Sequence, residues 1–247
     1  MALEPLYVVL LIVGAIASSI FGAISGFGGG LMVTPFLVPV VGFKGIVPVM
    51  TIAMIFGNGM RLWVYRRSVQ PRFIGIISIA VIPGIVVGTM IYDSLSPRMA
   101  AAVIGLFLIA SIPLRWALKS KPIEPTPPRI AIVGFVFGII TGSSTGAGVI
   151  LLSLLLGMGL SGTALIATDA VVGVLVNLMK TVMFGGLDLI DRDRLLIGVA
   201  VGLAMMPGAF VGRWLVERLP MRVHVALIET VVSGVGIWFL WRAWRGV

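Results

Sequence analysis

Long apolar stretches, separated by short charged segments, dominate the chain. Six of them contain no Asp, Glu, Lys or Arg: residues 5–43, 45–60, 73–92, 99–114, 130–168 and 195–212. A stretch of about 18 apolar residues can cross a bilayer as a helix. The polar interruptions divide the chain into ten apolar segments: 6–24, 31–43, 45–64, 73–92, 98–115, 130–141, 147–160, 163–184, 195–216 and 222–241. The pattern predicts an all-α integral membrane protein with about 8–10 transmembrane or re-entrant segments.

The composition agrees with a lipid environment. Hydrophobic residues make up 59% of the 247 residues and charged residues 11%, against about 25% charged in a soluble globular protein. The net charge is +9, but the basic residues lie between apolar segments and form no aromatic-interleaved nucleic-acid motif. We therefore expect a lipid bilayer, and no nucleic acid, as the partner. Because Glu4 stands where a signal peptide carries Lys or Arg, we expect the first segment to be retained as a span.

The basic loop residues are unevenly divided between the two sides of the membrane. If the segments cross alternately, ten basic residues fall on one side and six on the other. The larger group comprises Arg66, Arg67, Arg72, Arg115, Lys119, Lys121, Arg129, Arg213, Arg218 and Arg222. The positive-inside rule predicts that this side is cytoplasmic and that both termini lie outside.

The two halves of the chain carry a weak internal repeat. SGFGGG at 25–30 matches TGSSTG at 141–146, and PGIVVG at 83–88 matches PGAFVG at 207–212. Two further matched pairs are Asn58 with Asn177 and Arg61 with Lys180. We predict a first repeat at 1–117, a proline-rich linker loop at 118–129 and a second repeat at 130–247. Each repeat has an odd number of net crossings, so the second is expected to be inverted relative to the first.

The two glycine-rich matches predict broken helices inside the membrane. Glycine is a poor helix former, and a break at membrane depth survives only within protein or beside a water-filled cavity. Matching breaks in inverted repeats mark transporter binding sites, where helix N-termini present amide donors to anions. The predicted anion cradle comprises Ser25, Gly26, Gly28, Gly29, Thr141, Gly142, Ser144, Thr145 and Gly146. The alternative is close helix packing by small residues.

Four further polar residues are candidates for substrate contact. Each Asn precedes its basic residue by three positions and shares its helical face. Asn58 and Asn177 would orient the anion, and Arg61 and Lys180 would offset its charge. The alternative for the two basic residues is that they extend to the membrane interface.

Asp169 lies several residues inside a predicted helix. Carboxylates within membrane segments are rare and usually mark proton or ion pathways. Since surroundings can shift its pKa between states, Asp169 is our candidate for proton coupling. The alternatives are a structural partner for Lys180 and a polar residue at a helix start.

Catalytic motifs of soluble enzymes are absent from the sequence. There is no GxSxG, no HExxH and no Walker loop, and the chain has one histidine and no cysteine. We predict no enzyme activity, no catalytic residue, no metal site and no cofactor. An anion channel without coupling is the alternative to a transporter.

Three stretches resemble a known family. FGAISGFGGGLMVTPFLV, FGIITGSSTGAGVILLSLLL and the repeated PGxxVG are similar to sequences of the TauE/SafE family of sulfite and organosulfur exporters, also called the sulfonate uptake permease family. The resemblance implies a permease for sulfite, sulfoacetate, taurine-like sulfonates or related anions in the bacterial inner membrane. The second break departs from the first, since Ser143, Ser144 and Thr145 stand where the first has Phe27, Gly28 and Gly29. We predict alternating access with proton coupling, and the sequence leaves open the exact substrate and whether the chain forms a homodimer.

Overall fold

The computed structural model describes residues 5–25, 30, 32–120, 126–145, 147–216 and 221–246. All regular elements within these residues are helices, so the all-α prediction is confirmed. The helices are α1 Pro5–Ser25, α2 Thr34–Tyr65, α3 Pro71–Ser94, α4 Pro97–Ser120, α5 Pro127–Ser143, α6 Gly148–Gly157, α7 Gly162–Gly186, α8 Arg192–Val216 and α9 Met221–Arg245. A short 3-10 helix, Arg66–Ser68, follows α2.

The helices present an apolar exterior that suits a bilayer. Within the described residues, α2, α3, α4 and α7 are long and apolar enough to cross a membrane, while α1 and α5 contain shorter apolar stretches. Trp63, Ile79 and Val182 are 62%, 74% and 69% exposed. Apolar side chains spread over so many helix faces would favour aggregation in water, but in a membrane they contact lipid tails. The chain is therefore an integral membrane protein.

Glycine residues with positive φ interrupt both halves at matching places. Gly42 kinks α2 with a φ of 67°, and Gly159 and Gly162, with φ of 81° and 55°, separate α6 from α7. Glycine adopts this region without the steric cost that a Cβ brings. The predicted segments 31–43 and 45–64 are thus one kinked helix in the structure, whereas their counterparts in the second half remain two helices.

The order of helix packing is unchanged when matching helices of the two halves are exchanged. α1 packs on α8, α8 on α2, α2 on α7, α7 on α3 and α3 on α5, while α4 packs on α9. Exchanging α1 with α5, α2 with α6 and α7, α3 with α8 and α4 with α9 returns the same set of pairs. This symmetry is what a two-repeat chain would show. The repeat boundaries and the inversion stay predictions.

Two seams of small residues join helices from opposite halves. In the α3–α5 seam, a Cβ added to Gly138 would lie 2.8 Å from Gly84 Cα, and one added to Gly142 would lie 3.0 Å from Gly88 Cα. In the α1–α8 seam, a Cβ added to Gly208 would lie 2.5 Å from Ser19 Cβ. The helix backbones are therefore in direct contact, and the two halves are interlocked rather than stacked as separate blocks.

Candidate binding site in the α2–α7 seam

One face of α7 carries three polar candidate residues and a glycine. Successive members are four, four and three residues apart, so they share one side of the helix. They are Asp169, Gly173, Asn177 and Lys180. This face packs against α2, where Asn58 lies against Gly173 and Arg61 against Asp169. Because residue numbers rise along α2 as they fall along α7, the two helices are antiparallel.

Arg61 and Asp169 form a buried ion pair at one end of this seam. Arg61 Nη2 donates a hydrogen bond to Asp169 Oδ2, and the two side chains are 11% and 8% exposed. The pair brings a positive and a negative charge together away from water, so the two buried charges neutralise each other. Arg61 is therefore paired within the protein, and its predicted contact with the anion stays a prediction.

Asp169 is paired with Arg61 and not with Lys180, which was the alternative partner suggested by the sequence. Lys180 lies eleven residues further along α7, which is about 16 Å along the helix axis at 1.5 Å per residue. The ammonium of Lys180 therefore cannot reach the carboxylate of Asp169 while both residues are helical. Arg61 reaches it because α2 is antiparallel to α7.

The loop after α2 packs over the ion-pair end of the seam. The Gln70 backbone N–H donates to Thr168 Oγ1 at 3.2 Å, and Thr168 is buried next to Asp169. The same loop carries exposed Arg66 and Arg67, which belong to the predicted cytoplasmic group. The ion pair therefore lies beneath the side that we predict to be cytoplasmic.

Lys180 is a buried cation at the other end of the seam. The residue is 3% exposed, and its Nζ lies 3.5 Å from the carbonyl oxygen of Ser144 and 6.0 Å from the centre of the Phe184 ring. No carboxylate of the described residues forms an ion pair with it. A contact of 3.5 Å is long for a hydrogen bond. An ammonium buried with so little compensation is costly.

Ser144 adds an unused donor next to this cation. It follows the end of α5 with extended backbone angles, φ −148° and ψ −172°, and is 1% exposed. Its hydroxyl oxygen makes no hydrogen bond within the described part of the chain, whereas the neighbouring Ser143 hydroxyl donates to Ile139 O at 2.8 Å. A buried hydroxyl and a buried ammonium thus lie together at the break after α5.

The family assignment follows from a match over nearly the whole chain. Residues 10–239 match the family model described as sulfite exporter TauE/SafE. The chain belongs to this family. No curated protein and no solved structure matches it at a significant level. The resemblance stated from the glycine-rich motifs is therefore confirmed, and the chain is a multi-pass membrane protein of a transporter family.

The structure describes more residues of the second predicted break of this TauE/SafE protein than of the first. Ser25 is the last residue of α1, but Gly26, Gly28, Gly29 and Gly146 lie outside the described residues. The second break is described up to Thr145, which is half-buried. The assembly of the full cradle from both breaks therefore stays a prediction.

Thr141 and Gly142 lie in the last turn of α5, and both are buried. Gly142 packs against Gly88 of α3. This contact agrees with close helix packing, the alternative considered for these glycines, and the place of Gly142 in the cradle stays a prediction.

The two asparagines meet at a glycine that the sequence analysis did not single out. Asn177 Nδ2 donates to Gly173 O at 2.7 Å, and a Cβ added to Gly173 would lie 2.6 Å from Asn58 Nδ2. Gly173 thus allows the Asn58 amide to lie against α7. Its position, four residues after Asp169 and four before Asn177, was the signal that could have identified it.

Proposed function

We propose that this TauE/SafE protein transports a small sulfur oxyanion or organosulfonate across the bacterial inner membrane by alternating access. Lys180 and Ser144 form the core of its binding site. The observation that carries the proposal is the burial of the Lys180 ammonium beside an unused hydroxyl, without a carboxylate partner among the described residues. Family membership supports the transport of sulfur-related anions.

An oxyanion matches the chemistry of this location. The Lys180 ammonium has three N–H donors, and its one contact to Ser144 O is long. The Ser144 hydroxyl supplies a further donor. An anion with several acceptor oxygens would provide both the missing counter-charge and the hydrogen-bond partners, and charge-assisted hydrogen bonds are stronger than neutral ones. A cation or an apolar molecule would leave the ammonium uncompensated.

The remaining predicted residues would contact the anion or complete the site around it. Asn177 lies one turn before Lys180 on the same face and can present its amide to the anion, and Asn58 lies across the seam. Thr145 extends the break after Ser144. The cradle residues Ser25, Gly26, Gly28 and Gly29 would complete the site from the first half, as the repeat predicts.

Coupling rests on Asp169. Its carboxylate forms an ion pair with Arg61 beneath the predicted cytoplasmic side, so protonation would remove the negative partner and weaken the contact between α2 and α7. A carrier that must separate these helices to open this side would then link opening to proton uptake. Uphill anion uptake driven by a proton gradient in proteoliposomes is the expected result, and anion flux that ignores the gradient would indicate a channel.

Anion binding is tested by thermal shift of the purified protein with sulfite, sulfate, thiosulfate, taurine and sulfoacetate. At least one is expected to raise the unfolding midpoint, since binding to the native state increases stability. Lys180→Gln should abolish the shift, and Lys180→Arg should retain part of it. Stabilisation by cations or apolar compounds alone would overturn the assignment, as would an undiminished shift in Lys180→Gln.

A further inference from the structure

Arg61 and Lys180 occupy matching positions in the two halves but have different surroundings. The offset of 119 residues that aligns Asn58 with Asn177 also aligns them. Arg61 is paired with Asp169, while Lys180 has a backbone carbonyl and no carboxylate among the described residues. The same offset places Met50, buried and apolar, opposite Asp169 in the alignment. The acid is thus present in one half only.

We propose that Arg61 is a second anion subsite, and that the Asp169 carboxylate occupies it in this structure in place of a substrate anion. This rests on the proposed function, since it takes Lys180 as the first subsite. The ligand class is the same for both, a small oxyanion such as sulfite or a sulfonate.

A carboxylate is a reasonable chemical substitute for such an anion. Carboxylates, sulfonates and sulfite all present negatively charged oxygens, and the guanidinium fork of Arg binds paired oxygens in one plane. Arg61 already donates through Nη2 to one oxygen of Asp169 within the buried seam. A guanidinium that binds the internal carboxylate is therefore suited to bind an incoming oxyanion after that carboxylate leaves.

The two subsites are separate. Asp169 and Lys180 are about 16 Å apart along α7 at 1.5 Å per residue, so a small oxyanion at Lys180 does not contact Arg61. Asp169 lies seven residues after the start of α7, and Lys180 lies six residues before its end. The subsites therefore lie toward opposite ends of the seam, and an anion would pass from one to the other during transport.

Asp169 limits the chain to one bound anion at a time. Because it competes for Arg61, the subsite beneath the loop that contains Gln70 accepts a substrate only after the ion pair has broken. No carboxylate of the described residues competes for Lys180, so its subsite is ready to bind.

The number of bound anions tests this inference, with radiolabelled sulfite as the probe in equilibrium dialysis under nitrogen. The wild type is expected to bind one sulfite per chain and Lys180→Gln none. Asp169→Asn should bind two, and the double variant Asp169→Asn with Lys180→Gln should bind one. The control Arg61→Gln with Asp169→Asn removes both charges of the pair and should bind one, at Lys180.

A second measurement covers the case in which Asp169→Asn folds poorly, because the substitution leaves Arg61 without its carboxylate. Sulfite should then restore the unfolding midpoint of Asp169→Asn by a larger shift than in the wild type. It should give the Arg61→Gln with Asp169→Asn control only the wild-type shift.

The outcomes separate the two proposals. If the wild type binds one sulfite that Lys180→Gln abolishes, but Asp169→Asn neither binds a second nor gains a larger shift, the second subsite is overturned and the proposed function stands. If the wild type binds none but Asp169→Asn binds one that requires Arg61, the Lys180 site is overturned and the subsite at Arg61 stands. If no variant binds sulfite, both are overturned for sulfite.

Discussion

The two ends of the α2–α7 seam each contain a buried positive charge, and they differ in whether a carboxylate of the described residues neutralises it. At one end, Arg61 is neutralised by Asp169 within the protein. At the other, Lys180 is more deeply buried, and no carboxylate of the described residues neutralises it. A buried ion pair is complete without a ligand, whereas a buried cation without a counter-ion is a reason to look for one. We therefore propose that Lys180 binds the anion and that Arg61 and Asp169 hold the seam closed.

The largest expected effect distinguishes the two ends by stability without ligand. Asp169→Asn should lower the free energy of unfolding by about 3–5 kcal/mol, because it removes the carboxylate that neutralises the buried Arg61 guanidinium. Lys180→Met should leave the stability unchanged or raise it, since it removes a buried cation that lacks a counter-ion. Denaturant unfolding in detergent measures both. An equally large loss of unfolding free energy in Lys180→Met would show that Lys180 has a structural partner. The proposed difference between the two ends of the seam would then be wrong.

The next largest expected effect tests whether Gly142, in the second glycine-rich break, contributes to helix packing or to anion binding. Gly142→Ala should lower the free energy of unfolding by about 1–3 kcal/mol, because the new methyl group enters the α3–α5 seam. The control Gly75→Ala places its Cβ in open space and should be neutral or slightly stabilising. The folded fraction of Gly142→Ala should bind sulfite with wild-type affinity. A loss of sulfite affinity without a loss of stability would instead support Gly142 as part of the anion cradle.

Ser144 should show the converse behaviour. Ser144→Ala is expected to weaken sulfite binding by about tenfold, the equivalent of one charge-assisted hydrogen bond of about 1.5 kcal/mol. The matched control is Ser143→Ala, because that hydroxyl already donates to its own helix. Isothermal titration of both variants gives the comparison. Equal affinities would remove Ser144 from the site.

The smallest effect concerns the middle of the seam. Gly173→Ala should shift the Asn58 side chain, whose amide the new Cβ would crowd, and should cost about 1 kcal/mol of stability as a small overpacking. Transport should slow more than binding weakens, since the substitution lies between the two proposed subsites. Uptake rates and dissociation constants for sulfite measure the two effects, and equal changes in both would place the anion against Gly173 itself.

Helix positions could be predicted well because charge marks where a segment leaves the membrane. The predicted segment 73–92 corresponds to α3, Pro71–Ser94, and 163–184 to α7, Gly162–Gly186. The kink at Gly42 was located within two residues by Lys44, the charge that ends the uncharged stretch. Whether the kink leaves one helix or two depends on local hydrogen bonding, which cannot be inferred from the positions of apolar residues.

Pairing across helices could be predicted less well because it depends on the antiparallel register of α2 and α7. Nothing in the sequence aligns Arg61 with Asp169, which are 108 residues apart. The helical rise alone, however, excludes a contact between Asp169 and Lys180. The four-residue spacing of Gly84 and Gly88, and of Gly138 and Gly142, is typical of close helix packing, but it does not identify which helices meet.

The interlocked seams also constrain how the protein is made. Ser19 of α1 packs against Gly208 of α8, 189 residues later in the chain. At a synthesis rate of about 5–20 residues per second, α1 must wait about 10–40 s in the bilayer before its partner helix leaves the ribosome. During that interval its small-residue face is open to lipid, to the insertion machinery or to another copy of the chain. The final architecture of the first half is therefore completed by the second half, after most of the protein has been translated.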